Sequence, residues 1–304
     1  MMRICSLLPG GTELLYALGL GEAIVGVSHE CDFPPEARTK PRVILTVIDQ
    51  DRLSSEAIDA AVRQALKQRT SLYTVDEDAL RRAAPDLIVT QELCEVCAID
   101  TAQVTQAVRV LPSRPQVLSL HPHTLEEMFE EIRLVGEATG TQDAAERLLR
   151  GCRSRLDRIA ALIGEEARRP RVFCLEWLKP LMASGHWVPE MVERAGGIEV
   201  LGQAGVPSRY VEWEQVQVAA PEVLILMPCG FPIERTRREL PELAARPGWS
   251  VLPAVRGGRV YLVDGPSYFN RAGPRLIDGI ELLAGLLHPD RCASLIPPGS
   301  AMIE

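Results

Sequence analysis

Apolar residues recur at helical spacing through the middle of the chain, from Thr124 to about Glu166. Thr124 and Glu127 form a capping-box pair, which is typical of a helix N-terminus, and this first helix is predicted to end at Gly140. A second helix is predicted to begin near Thr141. Its apolar stripe comprises Ala145, Leu148, Leu149, Cys152, Leu156, Ile159 and Ile163. At 1.5 Å per residue, roughly 24 residues span about 36 Å, which is enough to bridge two lobes, and the alternative is an ordinary long surface helix.

Short apolar runs alternate with helical patterns on both sides of this central segment. Ala83-Ala84-Pro85-Asp86 precedes a predicted strand in the first half, and Ala219-Ala220-Pro221-Glu222 precedes one in the second. The predicted strands are 3–8, 24–27, 87–90 and 117–120, followed by 171–175, 223–227 and 259–263. The predicted helices are 12–18, 55–67, 76–83 and 189–195, and 257–258 is predicted to be a hairpin turn. Strands that alternate with helices in each half imply two parallel α/β sheets.

The predicted fold class is therefore α/β, with two Rossmann-like lobes joined by a long spanning α-helix. We predict an N-terminal lobe over residues 1–122, interlobe helices over 123–167, a C-terminal lobe over 168–290 and a tail over 291–304. Open α/β sheets bind ligands outside the carboxyl ends of their strands, so the two lobes are expected to face one another across a cleft.

Composition and charge narrow the class of partner. The chain has 304 residues, of which 46% are apolar and 24% charged, a normal globular mixture with room for two domains. A formal net charge of -8 argues against nucleic acid and against an anionic membrane surface. The sequence contains no G-x-S-x-G elbow and no glycine-rich phosphate loop, so we expect a binding protein and not an enzyme.

The amino terminus and the cysteines bear on location. The first predicted strand begins at Arg3, which leaves no room for a secretory signal, so a cytoplasmic protein is expected from this start and a periplasmic one only if translation begins upstream. The eight cysteines are then expected to be thiols or metal ligands instead of disulfides. Cys5, Cys152 and Cys174 lie on predicted element faces and are expected in the core, and Cys292 falls in the tail.

Several segments resemble a known family. They include "RICSLLPGGTELLYALGLGEAIVGVSHECDFPPEA", "LRRAAPDLIVTQ" and "LEEMFEEIRLVGEATG" in the first part of the chain, and "MVERAGG", "VEWEQVQVAAPEVLIL" and "RVYLVDGPSYFNRAGPRLIDGIELLAGLLHP" in the second. The chain is similar, from residue 2 to about 289, to the class III (cluster A-II) solute-binding proteins of ABC importers, and most of all to their cobalamin (vitamin B12) branch. The resemblance implies a corrinoid ligand, for scavenging, storage or handover if the protein is cytoplasmic.

Loops after the predicted strands supply the candidate ligand-binding residues. They are Pro9, Gly10, His29, Cys31, Glu176, Trp177, His186, Trp187, Tyr268, Phe269 and Arg271. Aromatic rings around a cleft suit a flat corrin or porphyrin, because stacking removes apolar area from water. The resemblance places Trp177 and Tyr268 near aromatic contacts of cobalamin receptors. Ordinary core packing is the alternative for any one of these rings, and a haem or another metal chelate is the alternative ligand.

A second candidate site is a group of soft ligands comprising His29, Cys31, Cys94 and Cys97. The C-x₂-C spacing of Cys94 and Cys97 is that of metal sites, and thiolate with imidazole suits zinc, iron or the cobalt of a corrinoid. We predict that at least three of the four side chains lie within about 8 Å of one another, since a missing ion would bridge them at about 2.0–2.3 Å each. A redox thiol cluster, a metalloenzyme and inert buried thiols remain alternatives.

The resemblance also implies a protein partner. In cobalamin receptors of this family, one acidic residue on each lobe docks onto basic residues of the ABC permease, and the matching positions here are Asp78 and Glu193. Solvated carboxylates of no special role are the alternative, because the chain is acidic throughout.

Overall fold

The computed structural model describes residues 2–49, 52–68, 70–91, 111 and 114–303, and the chain divides into two compact units. Unit 1 comprises Met1–Leu53, Ala57–Pro122 and Met128–Arg150, and unit 2 comprises Ser54–Glu56, His123–Glu127 and Gly151–Glu304. Each unit contains its own sheet, so the fold class is the predicted two-sheet α/β arrangement.

The described residues of unit 1 form a sheet with the strand order β4-β3-β2-β1-β5-β6. Its strands are β1 (Ile4–Ser6), β2 (Ile24–Ser28), β3 (Arg42–Thr46), β4 (Tyr73–Val75), β5 (Leu87–Gln91) and β6 (Gln116–Leu120). Neighbouring strands are parallel except β3 and β4, so the carboxyl ends of β1, β2, β3, β5 and β6 share one edge. The sequence patterns predicted neither β3 nor the antiparallel strand β4.

Helices of unit 1 cover this sheet and connect its strands. They are α1 (Pro9–Ala17), α2 (Ser55–Gln68), whose first two residues belong to unit 2, and α3 (Glu77–Ala83). Helix α1 begins three residues earlier than predicted, because proline is well suited to the first turn of a helix, where its missing N–H costs nothing. Cys5, Val43, Leu80 and Ile88 are buried in the core beside α3, as was expected for Cys5.

The two central helices are α4 (Leu125–Thr139) and α5 (Gln142–Ile163). The Thr124 hydroxyl accepts from the Glu127 amide at 3.2 Å, which confirms the predicted helix start, while the Glu127 carboxylate accepts from the amide of His123 instead of that of Thr124. Gly140 has a φ of 69°, a left-handed conformation that favours glycine, and it ends α4 as predicted. At 22 residues α5 is about 33 Å long.

The described part of unit 2 forms a mixed sheet with the order β10-β8-β7-β11-β12-β13, and β9 also pairs with β7. Its strands are β7 (Arg171–Trp177), β8 (Met182–Ala183), β9 (Ile198–Glu199), β10 (Arg209–Tyr210), β11 (Val223–Leu226), β12 (Val260–Val263) and β13 (Ala301–Ile303). The pairs β7–β9, β7–β11 and β11–β12 are parallel, whereas β8, β10 and β13 run antiparallel to their neighbours. Strand β13, which the sequence pattern did not predict, therefore lies beyond β12 at the edge of the sheet.

The helices of unit 2 flank this sheet. They are α6 (Val188–Arg194), α7 (Trp213–Ala219), α8 (Ile233–Ala244), α9 (Pro253–Arg256), α10 (Gly265–Tyr268), α11 (Leu276–Leu287) and α12 (Pro289–Cys292). Gly257 and Gly258 link α9 to β12, so the predicted hairpin turn is wrong. The predicted tail is also structural, because it supplies the end of α12 and all of β13, and its Cys292 is buried. Cys152 and Cys174 are buried as expected.

Candidate functional site

A small cavity lies at the strand-end edge of the sheet in unit 1. Its volume is about 30 Å³, and its lining residues are Leu7, Leu8, Pro9, Ser28, His29, Glu30, Ile44, Tyr73, Thr90 and Gln91. These residues belong to the ends of β2 and β5, the segment after β1, and strands β3 and β4. One water needs about 10–15 Å³ of such space, so the cavity holds a water or a small group and not a whole tetrapyrrole. Of the predicted residues, Pro9 and His29 line it, and Gly10 is the buried second residue of α1.

His29 is the chemically distinctive residue of this cavity. Its backbone amide donates to the Ile44 carbonyl at 3.0 Å, and its ring lies 5.5 Å from that of Tyr73. Neither ring nitrogen has a hydrogen-bond partner among the residues that the structure describes, and Nε2 lies 3.8 Å from the Glu30 carboxylate. Burial lowers the pKa of His29, and although Glu30 opposes that shift, Arg42 adds to it. The imidazole is therefore neutral at pH 7, with a lone pair available to a ligand.

Cys31 follows two residues later but does not line the cavity. Its side chain is fully buried, with Sγ 3.0 Å from the Thr12 hydroxyl and 3.2 Å from the Ser28 hydroxyl. The thiol is enclosed by hydroxyl groups beside the start of α1, and the role of Cys31 as a ligand stays a prediction. Arg42, which sequence reasoning did not select, holds the loop by donating to the carbonyls of Ser28 and Cys31 at 2.5 and 2.8 Å.

Of the predicted soft-ligand group, only His29 and Cys31 belong to the described residues. Cys94 and Cys97 lie outside the described residues, so the predicted convergence of His29, Cys31, Cys94 and Cys97 stays a prediction. Within residues 2–49, 52–68, 70–91, 111 and 114–303, no three His, Cys, Asp or Glu side chains are arranged to hold a metal ion.

Two candidates lie at the end of β7 in unit 2. The Glu176 carboxylate accepts from the Ser208 hydroxyl at 2.8 Å. The Trp177 indole donates to the Ser55 carbonyl at 3.1 Å and packs against Phe231, with ring centroids 5.1 Å apart. Both side chains are half-buried, and Trp177 already has a polar and an aromatic partner within the protein.

The other candidates at the aromatic positions of unit 2 differ in how far their side chains are buried. Trp187 and Phe269 are buried, and the Trp187 indole donates to the Phe269 carbonyl at 2.7 Å. Both rings pack inside the unit, and their role as a ligand platform stays a prediction. Tyr268 and Arg271 are half-buried, and the Arg275 guanidinium lies 5.5 Å from the Tyr268 ring centroid. Burial raises the pKa of Tyr268, so its phenol stays protonated at neutral pH.

The remaining candidates are His186, the exposed Cys229 and the two acidic residues. His186 lies in the loop between β8 and α6 and stacks on His123 with ring centroids 5.4 Å apart. Asp78, in the first turn of α3, is largely exposed and pairs with Arg81 at 2.5 Å. Glu193 is exposed on α6.

The described residues form one largely parallel and one mixed sheet, with polar residues at the strand ends, and comparison with known proteins assigns the family. Residues 4–266 match the periplasmic binding protein family, and the chain belongs to that family. The predicted family is thereby confirmed. No helix in the described parts of the chain is long and apolar enough to cross a membrane.

Individual relatives extend over nearly the whole chain. A Bacillus subtilis protein described as an uncharacterized ABC transporter substrate-binding lipoprotein is 25% identical over 302 residues, covering 95% of this chain and 80% of the relative. A vitamin B12-binding protein of Vibrio cholerae is 24% identical over 283 residues, covering 92% and 86%. These relatives are binding proteins and not enzymes, as was expected for this chain.

Solved structures share the fold. The vitamin B12-binding protein of Vibrio cholerae superposes with a TM-score of 0.67 at 22% identity, covering 94% of this chain and 96% of that one. A periplasmic heme-binding protein from Roseiflexus sp. RS-1 superposes with a TM-score of 0.70 at 24% identity, covering 95% and 98%. These structures show that the chain has the fold of periplasmic binding proteins, and of the two one is described as binding vitamin B12 and the other as binding heme.

Proposed function

We propose that this protein binds a corrinoid of the cobalamin type, against the residues at the strand-end edges of its sheets. The observation that carries the proposal is His29, a neutral imidazole whose two ring nitrogens have no hydrogen-bond partner among the described residues, in a cavity at such an edge. A buried polar atom without a hydrogen bond costs about 1–3 kcal/mol, so a ligand that engages this ring would recover that cost. The similarity to a vitamin B12-binding protein along most of the chain supports the choice of corrinoid.

The size of the cavity limits how such a ligand is bound. About 30 Å³ admits a water or one substituent, so a corrin ring would lie over the opening while a smaller group enters. The neutral imidazole then has two available roles: it coordinates a metal centre through its lone pair, or it exchanges hydrogen bonds with an amide side chain of the ligand.

Haem is the second candidate, and the same residue favours it. Imidazole is a common axial ligand of haem iron, and Tyr73, whose phenol is another known iron ligand, lies beside His29 in the cavity. A haem-binding protein would carry out the same type of function, solute capture, with a different chelate.

Visible absorption spectra distinguish the two ligands. Purified protein is titrated separately with hydroxocobalamin and with hemin, because both chromophores change colour when an axial ligand is exchanged. The proposal predicts a saturable spectral change with hydroxocobalamin, reduced at least tenfold in affinity in His29→Gln. The control is His288→Gln, which removes a half-buried histidine that contacts the Gly196 carbonyl in the other unit, and it is expected to leave the titration unchanged. A spectral change with hemin but none with hydroxocobalamin would identify haem, and not a corrinoid, as the ligand.

Zinc or iron bound to His29, Cys31, Cys94 and Cys97 stays a prediction. Metal analysis of untagged protein tests it, and a stoichiometric metal that Cys94→Ser and Cys97→Ser remove would support it. Protein that is metal-free when purified without chelators would remove this alternative.

We propose an ABC permease as the protein partner, supported by the relative described as an ABC transporter substrate-binding lipoprotein. Charge reversal at the exposed residues Asp78 and Glu193 is then expected to abolish uptake of ligand without changing its binding. The cytoplasmic location expected from the sequence is a separate proposal, and it conflicts with the transport role. Cell fractionation decides between them: protein in the cytoplasmic fraction, with uptake unaffected by the charge reversals, would favour storage or handover.

A further inference from the structure

Two histidines of unit 2 lie ring to ring. His123 precedes α4 and His186 follows β8, and their ring centroids are 5.4 Å apart with an interplanar angle of 23°. His186 also lies 5.6 Å from the Trp187 ring. The Nδ1 atom of His123 is buried and has no hydrogen-bond partner among the described residues. The contact therefore joins the segment that leads into α4 to the loop between β8 and α6.

The backbone holds His186 in a fixed position for this contact. Its φ is 50°, the left-handed conformation that few residues other than glycine and asparagine adopt readily. The His186 amide donates to the Val206 carbonyl at 2.7 Å, and the Gly205 amide donates to the His186 carbonyl at 2.9 Å. Gly185 is required beside it, because a Cβ there would lie 2.3 Å from the Val206 carbonyl oxygen.

Carboxylates near the pair are engaged by backbone amides. The Glu127 carboxylate accepts from the His123 amide, and the Glu190 carboxylate of α6 accepts from the Leu125 amide at 3.0 Å. The segment 203–208, which packs against His186, contributes no charged side chain. The pKa of His186 is lowered, first by burial and then by His123, so the two nearby carboxylates do not outweigh these effects.

We propose that His123 and His186 form a proton-sensitive contact, which holds the segment before α4 against the β8–α6 loop at neutral pH and releases it in acid. Two neutral imidazoles stack without cost, whereas two imidazolium ions at this separation repel each other in a partly buried site. The consequence is a protein whose α4 entry is anchored at pH 7 and freed in acid. This inference concerns the protein itself and does not depend on the identity of the ligand.

The sign of the pH effect follows from the direction of the shift. The unfolded chain takes up a proton on His186 near the ordinary pKa of about 6.5, whereas the folded chain takes it up only at lower pH. Between these two values the unfolded state binds more protons, so the stability of the folded state falls as the pH is lowered through this range.

Histidine NMR titration of the full chain tests the contact directly. The chain has five histidines, and their ring C–H signals can be assigned by single substitutions. His123→Phe preserves a stacked ring and removes the charge, so the pKa of His186 is expected to rise in this variant. The signal of His288, which contacts the Gly196 carbonyl, is the internal control and is expected to stay unchanged.

Stability and amide exchange supply the second measurement. Between pH 7.5 and pH 5.5 the apparent Tm of the wild type is expected to fall by roughly 2–4 °C more than that of His123→Phe. The Leu125 amide is expected to lose protection from hydrogen exchange over the same range in the wild type only. The proposal would be overturned if the wild type and His123→Phe lost the same Tm, or if hydrogen exchange at the Leu125 amide did not change with pH. It would also be overturned if His123→Phe did not raise the pKa of His186.

Discussion

The Glu222 carboxylate accepts a hydrogen bond from the backbone amide of Arg171 at 3.0 Å, which ties the start of β11 to the start of β7. The first unit contains the same connection, because the Asp86 carboxylate accepts from the Arg3 amide at 2.8 Å. In both units the residue two positions before the acid is an alanine with positive φ, Ala220 in one and Ala84 in the other. The repeated Ala-Ala-Pro-acid pattern thus forms the same strand-start clamp twice.

Glu222→Gln is expected to weaken this clamp in a pH-dependent way. The Arg171 amide, together with Arg168, lowers the pKa of Glu222, so its contribution is present above the ordinary carboxyl pKa and is lost as the pH falls through the native value. We expect a loss of about 0.5–1.5 kcal/mol in the free energy of unfolding at pH 7. Denaturant unfolding at pH 7 and pH 3 measures the difference, which should nearly disappear at the lower pH. An equal loss at both pH values would mean that the charge plays no part.

Cys31 is predicted to be a structural thiol. Because Cys31 is fully buried beside the hydroxyls of Thr12 and Ser28, Cys31→Ala should cost about 1–3 kcal/mol through lost packing and the lost hydrogen bonds of the thiol. In the folded protein a thiol reagent should not react with Cys31, so Cys31→Ser leaves the fast phase of the reaction unchanged. Cys229→Ser, which removes an exposed thiol, should reduce that phase and is the matched control. Loss of the fast phase in Cys31→Ser would contradict this assignment.

Gly185→Ala should disrupt the loop that carries His186. The new Cβ would lie within 2.3–2.7 Å of the Val206–Ser208 backbone, which cannot move without disturbing the hydrogen bond from the His186 amide to the Val206 carbonyl. We expect a loss of about 2 kcal/mol or more. Gly151→Ala, in the middle of α5 with open space around its position, should be neutral or stabilising by up to about 1 kcal/mol. Similar unfolding free energies for the two variants would show that the close approach at Gly185 is unimportant.

Arg42→Gln should loosen the loop after β2 and so displace His29. The guanidinium donates to two carbonyls of that loop, and a shorter neutral side chain reaches neither with the same strength. Ligand affinity is expected to fall about tenfold, with a smaller loss of stability. Arg38→Gln, which removes a guanidinium that donates to the Asp32 carbonyl at 3.2 Å on the exposed side, is the control. Equal affinities for the wild type and Arg42→Gln would place the loop outside the binding surface.

Much of the fold could be predicted because its signals are local. The Thr124 cap, Gly140 and the two long apolar stripes mark α4 and α5, and the repeated Ala-Ala-Pro-acid pattern marks β5 and β11. Strands β8, β9 and β10 have two residues each, too few to show any periodicity, and the pairing of β13 depends on contacts with a strand about 40 residues earlier.

The site was predicted less well, for a physical reason. His29 follows a recognisable strand, so parallel topology correctly placed it at a strand end. Trp187 and Phe269 also follow strand or loop signals, but composition alone does not show whether a ring faces solvent or the core, and both are buried. Arg42 was missed because its role depends on two carbonyl groups that only the folded loop presents.

Isothermal titration of the full chain with hydroxocobalamin is the most direct test of corrinoid binding. We expect saturable heat with about one corrinoid per chain and a Kd below about 10 μM, weakened at least tenfold in His29→Gln. The absence of saturable heat up to about 100 μM hydroxocobalamin, from folded protein that binds hemin under the same conditions, would contradict it.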